Sequence, residues 1–330
     1  MTRYLITGAQ GMVGRYLVAR ILEAEPESVV VGIGRSERAD GFFTGDRRAP
    51  VPDDLLRLDG RYRYVQCALG DPALRGLVRE VRPDCIFHLA SALHSAAESD
   101  LLATNLAGTA ALMEAAAGSG ALVVLGSSGS VYGEPRRLPI DESHPCNPAG
   151  LYGVTKLAAE HIARIKAAHG GMALVTARIF NVVGPGLSDS HVCAAFAGQL
   201  AARTPELQAG RLDTTRDFLD VRDLATALHL LADKGEAGTV YNVASGSETA
   251  IRSVLSVLLA VSGLAGKVEV VSRFHPGGIS RQVADISRLR ALGYSPRWAL
   301  VESLRDLFRY HEAGQGNTLV RPPIPCATTS

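Results

Sequence analysis

The stretch "LITGAQGMVGRYL" (residues 5–17) joins a short apolar run to a helix-like run through three glycines. Gly8, Gly11 and Gly14 are spaced G-x-x-G-x-x-G. Between a strand and a helix, such a turn has a physical purpose. The first glycine makes the tight turn, and the second lets the backbone approach a pyrophosphate. The third lets helix and strand pack closely, while the helix N-terminus faces the negative charge. The reading predicts a dinucleotide turn in which Gln10, Met12 and Val13 border the ligand beside the glycines.

Outward from this turn, apolar strands alternate with helices. Strands are predicted at 3–7, 29–33, 62–66, 85–89, 121–125 and 173–179, with helices at 12–23, 72–81, 105–117 and 152–168. Strands apolar throughout and spaced by helices make a parallel sheet covered on both faces. The fold class is therefore α/β, a doubly wound parallel Rossmann sheet. After "FNVVGPG" (180–186) the alternation stops. A helix near 191–203, a strand at 217–221, a helix from Asp223, a strand at 239–244 and helices at 250–262 and 299–312 read as a smaller mixed lobe. The expected division is a nucleotide-binding domain at 1–180, a substrate lobe at 181–313 with some crossing back of the chain, and a loose tail at 314–330. The polar insertion at 35–54 reads as a loop near the nucleotide.

Composition narrows the function classes. The chain has 330 residues, 20% of them charged, and a net charge of +1. That balance gives no global field for nucleic acid or an anionic membrane. No run approaches the roughly 18 apolar residues of a membrane span, and the first residues do not read as a signal peptide. The five cysteines, at 67, 85, 146, 193 and 326, are odd in number. They lack metal-ligand spacing, so reduced thiols, no metal and a cytoplasmic protein are expected.

The end of the second strand selects the dinucleotide. An acidic residue there would accept from the ribose 2′-hydroxyl of NAD. In "VVVGIGRSER" (29–38) Gly34 holds that place, and Arg35 and Ser36 follow. Both can bind a 2′-phosphate, so NADP(H) is favoured over NAD(H).

"YGVTK" (152–156) places Tyr152 and Lys156 at i and i+4, on one helix face. A lysine ammonium beside a phenol is expected to lower the phenol pKa, fitting Tyr152 for general acid or base work. Ser128, in "GSSGSVYG" (126–133), can donate to the same reacting oxygen.

Together Gly8-x-x-Gly11-x-x-Gly14, Ser128 and Tyr152-x-x-x-Lys156 resemble an extended short-chain dehydrogenase/reductase. More narrowly the chain is similar to the sugar-nucleotide epimerases, dehydratases and reductases. "FHLAS" (87–91), "NLAGT" (105–109), "RDFLDVRDLA" (216–225) and "YNVASG" (241–246) extend the likeness over residues 3 to about 313. The text most resembles the GDP-4-keto-6-deoxymannose reductase and GDP-mannose 4,6-dehydratase subgroup. The resemblance implies that Ser128, Tyr152 and Lys156 are catalytic. It implies that Leu89, Ala90, Ser91, Asn105 and Phe180 border the cofactor, with Leu69 offering backbone to the adenine. It places His94, Gly129, Ser130, Asn181, His191, Val192 and Arg216 near the substrate. It also implies a homodimer built on the helices at 95–117 and 152–168, and a nucleotide-diphosphate sugar, GDP-linked by preference, as substrate.

Departures from the family pattern are informative. The dehydratases carry an acidic pair after the serine, where this chain has Gly129 and Ser130. Neither moves protons in that way, which removes dehydration. The cysteine of GDP-fucose synthase aligns with Ser130, although His191 matches its histidine. The diphosphate arginine is replaced by His275, with Arg281 or Arg273 as substitutes. The adenine-contacting aspartate falls at Ala68, with Asp71 slightly too late. Three readings stay open. One is an NADPH-dependent reductase of a 4-keto-6-deoxy sugar nucleotide. Another is an epimerase, at C4 or at C3/C5 through His191. The third, a non-catalytic nucleotide-binding regulator, is opposed by the intact Ser128, Tyr152 and Lys156.

Overall fold

The computed structural model describes residues 1–37, 60–272 and 278–315. Most of the 35–54 insertion, the tail beyond Gln315, and Arg273 and His275 lie outside the described residues.

Seven parallel strands form the central sheet in the order β10-β6-β5-β4-β1-β2-β3. They are β1 (Arg3–Thr7), β2 (Val29–Gly34), β3 (Tyr62–Gln66), β4 (Cys85–His88), β5 (Leu122–Ser128), β6 (Ala173–Ile179) and β10 (Val240–Val243). The middle strands β4 and β5 are buried almost end to end, as a parallel sheet under helices on both faces requires. One face carries α1 (Met12–Ala24) and α7 (Val221–Lys234), whose Leu17, Ile21, Leu224 and Leu228 are fully buried. The other carries α2 (Leu74–Val81), α4 (Thr109–Ala116) and α5 (Leu151–Gly170), packing Leu74, Leu112, Met113 and Ala163. A second core gathers Phe196 and Leu200 of α6 (Val192–Ala201), Val254 and Leu258 of α8 (Ile251–Val261) and Leu304, Leu307 and Phe308 of α10 (Leu300–Gln315). The lobe around this core holds two small sheets. One joins β11 (Glu248–Ala250), β9 (Thr215–Asp220) and β7 (Asn181–Val183); the other joins β12 (Glu269–Ser272) to β8 (Glu206–Ala209).

Several boundaries differ from expectation, each for a local reason. Strand β5 runs to Ser128 rather than ending at Leu125, in register with β6 from Leu122↔Ala173 to Ser128↔Ile179. Its polar end is tolerated because Ser127 donates to the buried Glu160 carboxylate. The helix expected at 105–117 begins earlier, as α3 (Glu98–Leu101), a π-helical stretch (Leu102–Gly108) and then α4. Helix α2 begins at Leu74, not Pro72, and Asp71 accepts from the Ala73 amide just ahead of it. Strands β7, β8, β11 and β12 and the short α9 (Ser287–Ala291) are too brief to show a period in sequence. Strand β10 leaves the smaller lobe to pair with β6.

Candidate active site

The glycine turn is built by contact, not only by conformation. Gly8 has φ +70°, and a Cβ there would stand 2.9 Å from the Ala90 amide nitrogen. A Cβ on Gly14 would stand 2.4 Å from the Gly8 carbonyl oxygen and 2.7 Å from Ala9 Cα. Gly11 is the N-cap of α1, and no side chain caps that helix. Bare backbone at a helix N-terminus thus faces the cleft, which suits an anionic diphosphate. These residues fit a nicotinamide dinucleotide.

A chain of hydrogen bonds anchors the next loop. Thr7 Oγ1 accepts from the Leu89 and Ala90 amides (3.1 and 3.0 Å) and meets His88 Nδ1 at 2.8 Å. His88 Nε2 meets Thr109 Oγ1 at 2.9 Å, and Thr109 donates to the Asn105 carbonyl at 2.7 Å. Thr109 has one proton and gives it to Asn105, so Nε2 must be the protonated nitrogen and Thr7 donates to Nδ1. Burial, with Lys156 nearby, pushes the His88 pKa down to about 3, which keeps the ring neutral. Asn105 completes the scaffold. Its Oδ1 accepts from Ser91 Oγ and the Ala92 amide, and its Nδ2 donates to the Ala92 carbonyl and Thr155. The expected cofactor contact at Asn105 is therefore corrected: the side chain is buried and holds the 89–92 loop. Sequence reasoning missed Thr7, His88 and Thr109, whose partners lie far along the chain.

Ser128, Tyr152 and Lys156 converge on one cavity of about 450 Å³ that also reaches Gly8, Gly11 and Gly14. Ser128 Oγ accepts from the Ser130 amide at 3.1 Å and donates to Ser130 Oγ at 3.1 Å, and Ser91, Ser128 and Tyr152 line the same cavity. Helix α5 starts one residue before Tyr152, so Tyr152 and Lys156 share its inner face. Lys156 is 7% exposed and donates to the Gly126 carbonyl at 2.5 Å. Burial pushes its pKa down to about 8, opposed by the Glu160 carboxylate. The expected lowering of the Tyr152 pKa is corrected. Burial raises it, and the neighbouring Ser128 and Ser91 hydroxyls only soften the rise. The Lys156 ammonium donates to Gly126 and is not among the groups that shift the phenol.

Beneath this trio runs a buried ionic chain. Arg178 donates to Glu160 from Nε and Nη2 (3.1 and 2.8 Å) and from Nη1 to Tyr132 (3.0 Å). Tyr132 donates to Asn242 of β10 at 2.7 Å.

The outer half of the cavity holds the substrate candidates unevenly. His94, Gly129, Ser130, Phe180, Asn181 and His191 line it, with Leu89 and Ser91 further in. His191 occupies the N-cap of α6 without making a side-chain cap. Its ring lies 5.3 Å from that of His94, which in turn is 6.5 Å from the Tyr152 ring. Burial and the neighbouring His94 push the His191 pKa down to about 4. The Asn181 Nδ2 donates to the Asp217 carbonyl and to Gln282 Oε1 (both 3.2 Å), and Gln282 Nε2 donates to the Gly129 carbonyl (3.2 Å). Gln282, absent from the sequence reading, is thus a cleft residue that ties the serine loop to the smaller lobe. Among the expected contacts, Gln10, Arg35, Ser36, Ala90 and Asn105 do not line the cavity, and neither do four others. Val192 packs into the smaller lobe's core. Leu69 lies against Gly108. Arg216 folds back onto the Thr215 carbonyl at 2.7 Å. Arg281 is paired through two 2.7 Å bonds to Glu248 and is 60% exposed.

A glycine-turn Rossmann sheet with a serine, a tyrosine and a lysine meeting at the carboxyl ends of its strands defines an extended short-chain dehydrogenase/reductase. The chain belongs to the NAD dependent epimerase/dehydratase family, whose pattern matches residues 4–244. It is 34% identical over 322 residues to a GDP-6-deoxy-D-mannose reductase of Pseudomonas aeruginosa, covering 92% of this chain and 95% of that one. It is 32% identical over 328 residues to a UDP-glucose 4-epimerase of Mycolicibacterium smegmatis, covering 92% and 96%. The solved structure of RMD from Pseudomonas aeruginosa complexed with NADPH superposes with a TM-score of 0.75 at 31% identity, covering 95% of this chain and all of that one.

Proposed function

We propose that this enzyme is an NADPH-dependent reductase of a 4-keto-6-deoxy sugar nucleotide. The observation that carries the reading is the cavity's ionisable set. It consists of Tyr152, Lys156, His94 and His191, with no carboxylate among the described lining residues. Such a set suits one proton transfer beside a hydride transfer and does not suit elimination. Position 129 also leaves little room for an acid, because a Cβ there would stand 3.1 Å from the Phe180 ring.

When bound, the reduced nicotinamide supplies the hydride. Gly8, Gly11 and Gly14 with the α1 N-terminus would hold its diphosphate, and Arg35 and Ser36 its 2′-phosphate. Tyr152 delivers the proton to the carbonyl oxygen, and its raised pKa keeps that proton available at neutral pH. Ser128 donates to the same oxygen as charge develops on it. Lys156 holds a positive charge beneath them. Leu93, Phe180 and Leu187 line the cavity and help exclude water.

The likeness to a GDP-6-deoxy-D-mannose reductase and to an NADPH complex supports a GDP-linked sugar and NADPH. The deciding experiment follows the absorbance of reduced nicotinamide while the purified protein meets GDP-, UDP- and dTDP-linked 4-keto-6-deoxy sugars. NADPH oxidation fastest with a GDP-linked keto sugar is the expected result. No NADPH oxidation with any of them overturns the reading.

His191 favours a second reading, epimerisation. His191 faces the cavity unprotonated, as a base at C3 or C5 must be, while its depressed pKa makes it a weak one, and a UDP-glucose 4-epimerase is among the relatives. An epimerase interconverts its sugars with no added reductant, which separates it from the first reading. The homodimer belongs to the same proposal. Leu102, Val154 and Ile165, on the helical run 98–116 and on α5, are 46%, 46% and 50% exposed. Light scattering that finds a dimer for the wild type and a monomer for Ile165→Glu is the outcome it requires. No helix among the described residues is long and apolar enough to cross a membrane, and a cytoplasmic location is part of the proposal.

A further inference from the structure

The two glycines of β2 are matched by two tyrosines of β3. Strand β3 runs parallel to β2, with Gly32 opposite Tyr64 and Gly34 opposite Gln66. A Cβ on Gly32 would stand 2.5 Å from the Tyr62 hydroxyl oxygen. A Cβ on Gly34 would stand 2.6 Å from the Tyr64 hydroxyl oxygen, while the nearest ring carbons lie at 3.6 and 3.7 Å, in ordinary contact. One oxygen atom, at the far end of the Tyr64 side chain, therefore stands where a side chain at position 34 would go, so that a larger residue there requires Tyr64 to shift. Gly34 has no positive φ, so space and not backbone conformation accounts for the glycine.

That same hydroxyl donates to the Ser36 carbonyl at 2.8 Å. Gln66 donates to the Arg35 carbonyl at 3.1 Å, and Gln10 of the glycine turn donates to the Glu37 carbonyl at 2.9 Å. Three successive carbonyls are thereby turned toward the protein, and the side chains of Arg35 and Ser36 are exposed. Burial keeps the Tyr64 phenol protonated and able to donate.

We propose that Tyr64 sets the cofactor preference of this enzyme. Its hydroxyl denies position 34 the carboxylate that would accept from a ribose 2′-hydroxyl. It also fixes the Arg35–Glu37 turn so that Arg35 and Ser36 face a 2′-phosphate. Tyr64 is a positioning residue that touches no phosphate itself. The inference rests on the NADPH reading above.

Equilibrium titration of NADPH and NADH, read by nicotinamide fluorescence, tests it without any sugar substrate. Tyr64→Phe removes only the oxygen. It should weaken NADPH binding about 10-fold and leave NADH binding unchanged, as expected for losing one hydrogen bond behind a charged contact. Unchanged NADH binding also reports that the variant is folded. Gly34→Asp alone should lose NADPH binding and gain nothing for NADH, because the side chain meets the hydroxyl. Gly34→Asp with Tyr64→Phe should bind NADH at least about 10-fold more tightly than Gly34→Asp alone. The inference is overturned if Gly34→Asp alone binds NADH as tightly as the double variant, or if Tyr64→Phe leaves NADPH affinity unchanged. A wild-type protein that binds NADH as tightly as NADPH sinks the NADPH reading instead, and this is measured before any variant is made.

Discussion

The phenol of Tyr152 stands between burial, which keeps its proton on, and the hydroxyls of Ser128 and Ser91, which ease it off. Tyr152→Phe should therefore lower kcat by about 10²–10⁴-fold, the usual worth of a placed acid, with little change in NADPH affinity by fluorescence titration. Unchanged turnover would instead favour a nucleotide-binding regulator. At this scale the sequence is informative where chemistry sits in a fixed local spacing. Gly8, Gly11 and Gly14, and Tyr152 with Lys156, reach the cavity as their intervals imply. It is silent where the role depends on a distant partner. Gln282 meets Gly129 across 153 positions, and nothing in its neighbourhood distinguishes it. Arg216 and Arg281 sit where the family resemblance places them, and in this structure each is engaged close by, with the Thr215 carbonyl or with Glu248.

Helix α5 presents Tyr152, Lys156 and Glu160 at successive i+4 positions, so one element sets the charge under the reaction. The Lys156 ammonium is present below about pH 8 and lost above it. Activity should accordingly fall as pH rises through about 8. Glu160 holds that value up, so Glu160→Gln should move the alkaline limb of the kcat profile to lower pH by roughly one unit. A limb that stays in place would mean that another group governs it. Stability runs the other way: an unfolded lysine keeps its proton up to 10.5, so deprotonation between about 8 and 10.5 favours the folded state. The same helix face anchors Arg178, of which 8% of the side chain is exposed. Arg178→Ala should cost about 3–5 kcal/mol, since it leaves the buried Glu160 carboxylate without its guanidinium. Denaturant unfolding of this variant beside Arg178→Met with Glu160→Leu checks it, the double variant being the more stable. Long elements of clear period, such as α1 and β6, were legible to within a residue or two. The extension of β5 to Ser128 was not, because hydroxyls read as loop until Glu160 is known to receive one of them. Nor does any local signal in "LATNLAG" (102–108) mark a π-helical stretch.

The parts of the molecule are tied by a few polar contacts. Asp217 of β9, fully buried, accepts from the Ser245 amide and hydroxyl and from the Gly246 and Ala284 amides. Gln282 reaches from the same neighbourhood to the serine loop. Gln282→Leu should raise the KM for the sugar nucleotide about 10-fold, since it frees the Gly129 peptide, and should leave NADPH affinity as it was. An unchanged KM would reduce Gln282 to packing. The doubly wound architecture was readable from strand and helix alternation alone. Some crossing back of the chain was expected, but not which strand returns, because four apolar residues in "TVYNVA" (239–244) fit either lobe, and only pairing with Thr176 to Ile179 decides.

That return has a consequence for how the protein is made. The large sheet closes only when residue 243 is available, after the polypeptide has passed through β7, α6, β9 and α7. A nascent chain that has emerged only to residue 180 carries every group placed at the reacting oxygen. It also exposes the bare edge of β6 and lacks the Asn242 to which Tyr132 donates. Such an edge invites pairing with another chain. Synthesis of this enzyme therefore has a vulnerable interval, between the emergence of its chemistry and the arrival of the large sheet's last strand.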